Sequence, residues 1–285
     1  MKAKKFKKLQ TLNCHGNLID LSTPKVMGII NITPDSFYDG GKTFSENKIL
    51  KQAEKMLSEG ATFLDLGGYS SRPGADDVSE EQETKRVVQA IQLILKEFPD
   101  TLLSVDTFRS KVALQAVEAG ACIINDISGG TLDPNMFKTV SKLQVPYILM
   151  HMRGTPKTMA KLTEYKNVTI EVIKDLSEKI AIARAEGIND IIVDPGFGFA
   201  KKRSQSFQLL NNLELFKNLE VPILAGVSRK SMIYRTLETS AENALNGTTS
   251  LNTIALLKGA SILRVHDVKE ACECVVLNEN LRNVP

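Results

Sequence analysis

The chain has 285 residues, 42% of them hydrophobic, enough to bury one large core without a second folding unit. Its 36 basic and 33 acidic residues leave a net charge of only +3, which points away from a nucleic-acid surface or an acidic partner and towards small-molecule chemistry. No run of about 18 apolar residues occurs and no apolar stretch follows the lysine-rich start, so we expect neither a membrane span nor a secretory signal, and a cytoplasmic location.

The first eight residues include five lysines and read as a solvated tail. Beyond them TLNCHGNLIDL offers two alternating stretches about His15, Gly16 and Asn17, which predicts a hairpin. Residues 1–24 are therefore expected to be a basic tail and hairpin cap, and residues 25–285 the main domain. Cys14, Cys122, Cys272 and Cys274 contain no CxxC pair, and a CxC pair on a helix turns its thiols about 200° apart. Four free thiols and no zinc site are expected.

From residue 25 onward, eight short apolar runs each end in polar side chains, and each is followed by a stretch suited to a helix. They are GIIN to Asn31, FLDLGG to Gly68, LLSVDT to Asp106 and Thr107, and CIIND to Asn125 and Asp126. Then come YILMHMR to His151 and Arg153, DIIVDPG to Asp194, ILAGVSRK to Ser228 and Lys230, and ILRVHD to Arg264, His266 and Asp267. The mean step between run-ends is roughly 34 residues, close to the ~30 of a strand plus a crossover helix. Eight such steps predict an α/β fold: a closed (β/α)8 TIM barrel with an N-terminal β-hairpin extension, its reactive groups at the C-terminal strand ends.

Helix starts are signalled by Ser45 before Glu46, by Ser79 with Gln82 three residues on, and by Asp133 before Pro134. Val87, Ile91, Ile94 and Leu95 share a helical face before Pro99. A long helix over Glu164–Glu186 carries the stripe Val168, Val172, Leu176, Ile180 and Ala183 and closes at Gly187. Two loops are irregular: ITPDSFYDGGKTFS, with Thr33, Asp35, Ser36, Asp39 and hinge glycines Gly40 and Gly41, and YSSRPGADDVS, with Arg72 before Pro73. Their length suits lids that close over one side of the mouth.

The strand ends suggest chemistry. Loops after strands 7 and 8 of such barrels often hold phosphate, and here Arg264 offers a planar fork, His266 a second donor and Asn31 a neutral one. Pairing of Arg264 with Asp267 or another rim carboxylate is the bland alternative. Asp106, Asn125 and Asp194 converging on one mouth suit a flat heterocycle with donors and acceptors, since a carboxylate takes two parallel N–H bonds. Phe199 in DPGFGF offers a stacking face. Lys230 suits either a Schiff base or anion and carbonyl binding, and spacing does not separate these.

The strings NITPDSFYDGGK at 31–42, SRPGA at 71–75, VDT at 105–107, NDISGG at 125–130, MHMRGTPKTM at 150–159, DPGFGFAK at 194–201, SRKS at 228–231 and RVHDV at 264–268, in this order, resemble the dihydropteroate synthase family. The resemblance covers nearly the whole chain from about residue 12. It implies condensation of 6-hydroxymethyl-7,8-dihydropterin pyrophosphate with p-aminobenzoate to 7,8-dihydropteroate and pyrophosphate, through a pterin cation. It further implies a pterin site of Asp106, Asn125, Met150, Asp194, Phe199, Gly226 and Lys230, and a pyrophosphate site of Asn31, Arg264 and His266. Mg²⁺ would be the cofactor, engaged through Asn31. The p-aminobenzoate site, where sulfonamide drugs compete in this family, would comprise Phe37, Ser71, Pro73, Lys230 and Ser231. Asp106, Lys230, Asp35 and Arg72 would be catalytic, and the partner a second copy in a homodimer.

The chain departs from the family pattern at Ser71 (commonly Thr), at Tyr69 (usually acidic or amide) and at Val227 (commonly aromatic or Thr), which we place beside the second-substrate pocket. A corrinoid-linked methyltransferase on the same barrel, a Schiff-base aldolase and a non-catalytic pterin-binding module are the competing readings.

Overall fold

The apolar runs become strands because each alternates between two apolar environments, the barrel interior and the layer beneath the helices. In the computed structural model, which describes residues 10–32, 42–69, 78–282 and 284, with the backbone alone at 42–45, they form eight parallel strands. These are β3 (Lys25–Asn31), β4 (Phe63–Gly67), β5 (Leu102–Asp106), β6 (Ile123–Asp126), β7 (Tyr147–Met150), β8 (Ile191–Asp194), β9 (Leu224–Ala225) and β10 (Ile262–Val265). The sheet runs β8-β7-β6-β5-β4-β3-β10-β9. It is nearly closed, with a single parallel bridge between Val193 and Ile223 and the bond from Val193 N–H to Pro222 O at 2.9 Å.

Helices cover the outside: α1 (Lys42–Ser58), α2 (Glu80–Glu97), α3 (Ser110–Glu118), α4 (Met136–Leu143), α5 (Val168–Ala185), α6 (Arg203–Asn211), α7 (Ser231–Tyr234), α8 (Leu245–Leu257) and α9 (Val268–Arg282). Outward strand residues such as Leu64, Leu66, Val105, Leu149, Val193 and Val265 pack with them in one core. Inward residues Met27, Phe63, Ile123, Ile148, Ile192, Leu224 and Ile262 form a second. No helix among the described residues is long and apolar enough to cross a membrane.

The hairpin joins that second core. β1 (Thr11–Cys14) pairs antiparallel with β2 (Asn17–Asp20) across His15 (φ 51°) and Gly16 (φ 86°), the two positive-φ positions of a type I′ turn. Leu12, Cys14 and Leu21 insert among the inward strand residues. Asn13 N–H donates to Asp190 at 2.8 Å, and the His15 ring meets Ala121 O at 2.9 Å. The bottom of the barrel is therefore closed by apolar side chains.

Several helix expectations need correcting at their ends. Ser45 is not a cap, since α1 begins at Lys42. Ser79 does cap α2, accepting Gln82 N–H at 3.2 Å. Asp133 caps nothing directly: α4 begins at Met136, and Asp133 instead accepts Ser110 N–H at 2.7 Å and Asn135 N–H at 2.9 Å. The long helix begins at Val168, because Asn167 accepts Ile170 N–H at 3.2 Å and stops it there, while the predicted stripe is buried.

Leu12 is 1% exposed in the plug, so Leu12→Ala should destabilise the protein by about 2–4 kcal/mol. Chemical denaturation would measure this, and substrate KM should hold because the plug lies at the end of the barrel opposite the mouth.

Candidate active site

Counting onward by two from the inward core residues, each strand presents its next side chains to the mouth. From β4 these are Asp65 and Gly67, from β5 Ser104 and Asp106, from β6 Asn125, from β7 Met150, from β8 Asp194, and beyond β9 and along β10 Gly226, Arg264 and His266. Asn125, Met150 and Asp194 are nearly fully buried on the floor, whereas Asn31 at the end of β3 is exposed at the rim. Gly67 and Gly226 keep the space open: a Cβ at Gly226 would lie 3.7 Å from Asp194 Oδ2, and one at Gly67 would lie 3.8 Å from Asn31 Oδ1.

The centre is ionic. Arg264 donates from Nε to Asp65 Oδ2 at 2.7 Å and from Nη2 to Asp106 Oδ2 at 2.9 Å, and its Nη2 lies in ion-pair contact with Asp65 Oδ2 at 2.6 Å. Asn125 Nδ2 also donates to Asp65 Oδ2, at 3.0 Å. Burial pushes the Asp106 carboxyl up, Arg264 opposes that and Asp65 reinforces it, leaving Asp106 at about 7. Burial likewise raises Asp194, against Lys230 and the backbone N–H of Gly196. Burial lowers Lys230 to about 8 despite Asp194 and Asp106. For Arg264 burial opposes the charge, but Asp65 and Asp106 outweigh it and hold the guanidinium charged.

Lys230 follows β9 and donates to Phe197 O at 2.6 Å, with its ammonium 4.9 Å from the centre of the Phe199 ring. Ser231 opens α7 immediately after it. Phe199 packs with Met150, Ile127, Met152 and Met159, an apolar wall beside the acceptors. His266 is tied to Ser228, its Nδ1 at 3.1 Å and its backbone N–H at 3.2 Å from the hydroxyl.

The structure redistributes other candidates. Asp267 pairs with Arg229, at 2.6 and 2.9 Å, which leaves Arg264 to the two mouth carboxylates. His151 and Arg153 do not join the cluster. His151 Nδ1 lies 2.9 Å from the buried Lys201 ammonium, and burial first, then Lys201, drives its pKa far down. Arg153 sits 3.7 Å over the Tyr165 ring and bonds Glu171 at 2.8 Å. Val227 is fully buried and packs in the outer core. Tyr69 meets Phe108 edge-on at 5.2 Å, with Arg109 over both rings and bonded to the buried Glu83 at 2.6 Å. Asp35, Phe37, Ser71, Arg72 and Pro73 lie outside the described residues.

Asp65 is the residue the sequence reading missed. The FLDLGG run ends at Gly68 and its aspartate reads as mid-strand, although counting in twos from Phe63 places it inward.

Carboxylate and amide acceptors beside an apolar wall, next to arginine and histidine donors, define a class: a barrel enzyme that reads a donor-rich heterocycle and an anion together. The family described as pterin binding enzyme matches residues 27–266. The dihydropteroate synthase of Haemophilus influenzae is 44% identical over 259 residues, covering 90% of this chain and 94% of that protein. The folic acid synthesis protein of Schizosaccharomyces pombe is 46% identical over 91% of this chain, which spans 36% of that longer protein. Among solved structures, Yersinia pestis dihydropteroate synthase with a sulfonamide drug complex has a TM-score of 0.90 at 40% identity, covering 96% of this chain and all of that one. The Xanthomonas albilineans enzyme in complex with 7,8-dihydropteroate has a TM-score of 0.85 at 36% identity, covering 96% and 100%. The chain belongs to the dihydropteroate synthase family of pterin-binding enzymes.

A carboxylate that protonates near 7, as Asp106 does, can accept N–H bonds on both oxygens only above that pH. Calorimetry with 6-hydroxymethylpterin should therefore show Kd rising about tenfold per pH unit below pH 7, a one-proton linkage. The slope should vanish in Asp106→Asn.

Proposed function

We propose that this mouth condenses 6-hydroxymethyl-7,8-dihydropterin pyrophosphate with p-aminobenzoate, releasing pyrophosphate before the new bond forms. The convergence of Asp106, Asn125 and Asp194 with Arg264 and Lys230 carries the reading. The carboxylates accept ring N–H bonds and favour positive charge on the dihydropterin as the exocyclic C–O bond breaks and its electrons leave with pyrophosphate. Arg264, His266 and Asn31 hold the departing anion. Met150 and Phe199 flank the ring, and Gly226 leaves room for it. The aromatic amine then attacks the exocyclic methylene and loses a proton.

Asn31 supplies one neutral, exposed oxygen at the rim. Among the described residues no group of three or more His, Cys, Asp or Glu gathers to hold a metal. That donor set fits Mg²⁺, which takes few protein ligands and shares phosphate oxygens. Bound there it would neutralise charge on the diphosphate. We assign the p-aminobenzoate site to Lys230 and Ser231 with Phe37, Ser71 and Pro73, and further catalytic roles to Asp35 and Arg72. Residues 1–24, a basic tail and hairpin cap, precede the barrel, and residues 25–285 carry the reaction. The four cysteines are free, which supports a reducing compartment, the cytoplasm.

We assign a homodimer to the outer helices: Leu257 of α8 and Val276, Leu277 and Leu281 of α9 are 52–71% exposed, an apolar face that a second copy would cover.

Mixing both substrates with Mg²⁺ and following dihydropteroate by mass spectrometry should show turnover that EDTA abolishes. Lys230→Ala should lower kcat/KM by roughly 10² or more. Tight pterin binding without product would favour the methyltransferase or binding-module readings. For the dimer, sedimentation should give twice the chain mass, and Leu277→Glu should give monomers; an unchanged sedimentation coefficient would remove α9 from the interface.

A further inference from the structure

Asp65 lies inside the barrel with no solvent exposure. Its Oδ2 takes N–H bonds from Arg264 Nε at 2.7 Å and Asn125 Nδ2 at 3.0 Å, with Arg264 Nη2 in ion-pair contact at 2.6 Å. Its Oδ1 is buried without a hydrogen-bond partner among the described residues. A space-filling role would be met as well by an apolar side chain, because a buried ion pair is rarely more stabilising than good packing. A carboxylate that gathers two hydrogen bonds and an ion-pair contact on one oxygen and leaves the other unused is placed for direction.

Two directions follow. An oxygen already taking a guanidinium N–H bond in an ion pair acts as an acceptor, so Asn125 must turn Nδ2 towards it and its Oδ1 the other way. The amide's acceptor is thereby presented alongside Asp106 and Asp194. Arg264 is gripped by Nε and Nη2, and among the described residues Nη1 has no hydrogen-bond partner. One carboxylate thus sets a ring-reading group and an anion-holding group.

We propose that Asp65 is the positioning residue of this site, fixing the amide polarity of Asn125 and the orientation of Arg264 so that heterocycle and diphosphate are held in one frame. The proposal rests on the reading of Asn125 as a pterin ligand and Arg264 as a diphosphate ligand. Asp65 itself touches no substrate.

The test uses the full chain, with calorimetric binding of 6-hydroxymethylpterin. Asp65→Ala should weaken binding about tenfold or more, as expected for loss of a hydrogen bond to a charged group. Asp65→Asn, whose amide oxygen can still accept from Asn125, should restore most of that affinity. In an Asn125→Ala background, Asp65→Ala should cost nothing further. Wild-type affinity in Asp65→Ala, with pterin binding lost in Asn125→Ala, would overturn the proposal and leave the site reading intact. Unchanged binding in Asn125→Ala would overturn both.

If Asp65→Ala does not fold, the pH profile of kcat/KM in Asp65→Asn decides. Asp106 faces Arg264 from β10, Asp65 from β4, Glu83 from α2 and Asp126 from β6, with Lys230 beyond β9. Removing the Asp65 charge should move the acid limb down by about one unit; an unmoved limb with only a lowered Tm would reduce Asp65 to a structural role.

Discussion

The pairing of Arg264 with Asp65 and Asp106 is the interaction on which this site depends. Carboxylates cannot be held inside a barrel without a partner, since desolvating an isolated charge costs far more than a fold can offset. One guanidinium bridges two of them, and its planar fork suits that work better than an ammonium. Burial, only partly offset by these pairings, raises Asp106 and lowers Lys230, bringing both to within about a unit of neutral pH. Small changes in bound charge can therefore alter their protonation.

That ionic centre requires a dry floor. The inward residues of the lower strands and the hairpin's Leu12, Cys14 and Leu21 fill the barrel bottom. Above the floor the inward positions turn polar, and at Gly67 and Gly226 they shrink. A ligand entering between them meets acceptors on one side and the Phe199 wall on another. Fold and chemistry are joined through strand parity.

Supports outside the cluster hold the mouth's edges. Lys201, buried beneath the segment after β8, donates to Gly196 O and Phe199 O at 2.9 Å each as well as meeting His151. It braces the turn that carries Phe199, and Gly196 is required there because a Cβ would lie 2.1 Å from His151 O. Tyr69, Phe108, Arg109 and Glu83 form a second brace at the foot of the segment after β4. The departure at Tyr69 is thus accommodated by an aromatic and ionic cluster.

Strand–helix alternation, the hairpin and the polar strand ends were legible in the sequence because they are local: hydrophobic period and turn chemistry are written within a few residues. Asp106, Asn125, Asp194 and Arg264 could be named for the same reason, each being a polar side chain at or near the end of an apolar run. The helix start misread at Asp133 turned on a cap competing with a tertiary partner, since Asp133 bonds α3's first residue instead. Val227 was placed by neighbourhood in sequence, and the fold packs it in the outer core. Asp65 stayed hidden because a lone aspartate within a strand has no meaning until a cation 199 residues away is folded against it. The sequence alone determined which elements form and which chemical groups stand at their ends. Tertiary structure alone decided which charges meet, because pairing, burial and the pKa values they set depend on distances across the barrel that no local pattern encodes.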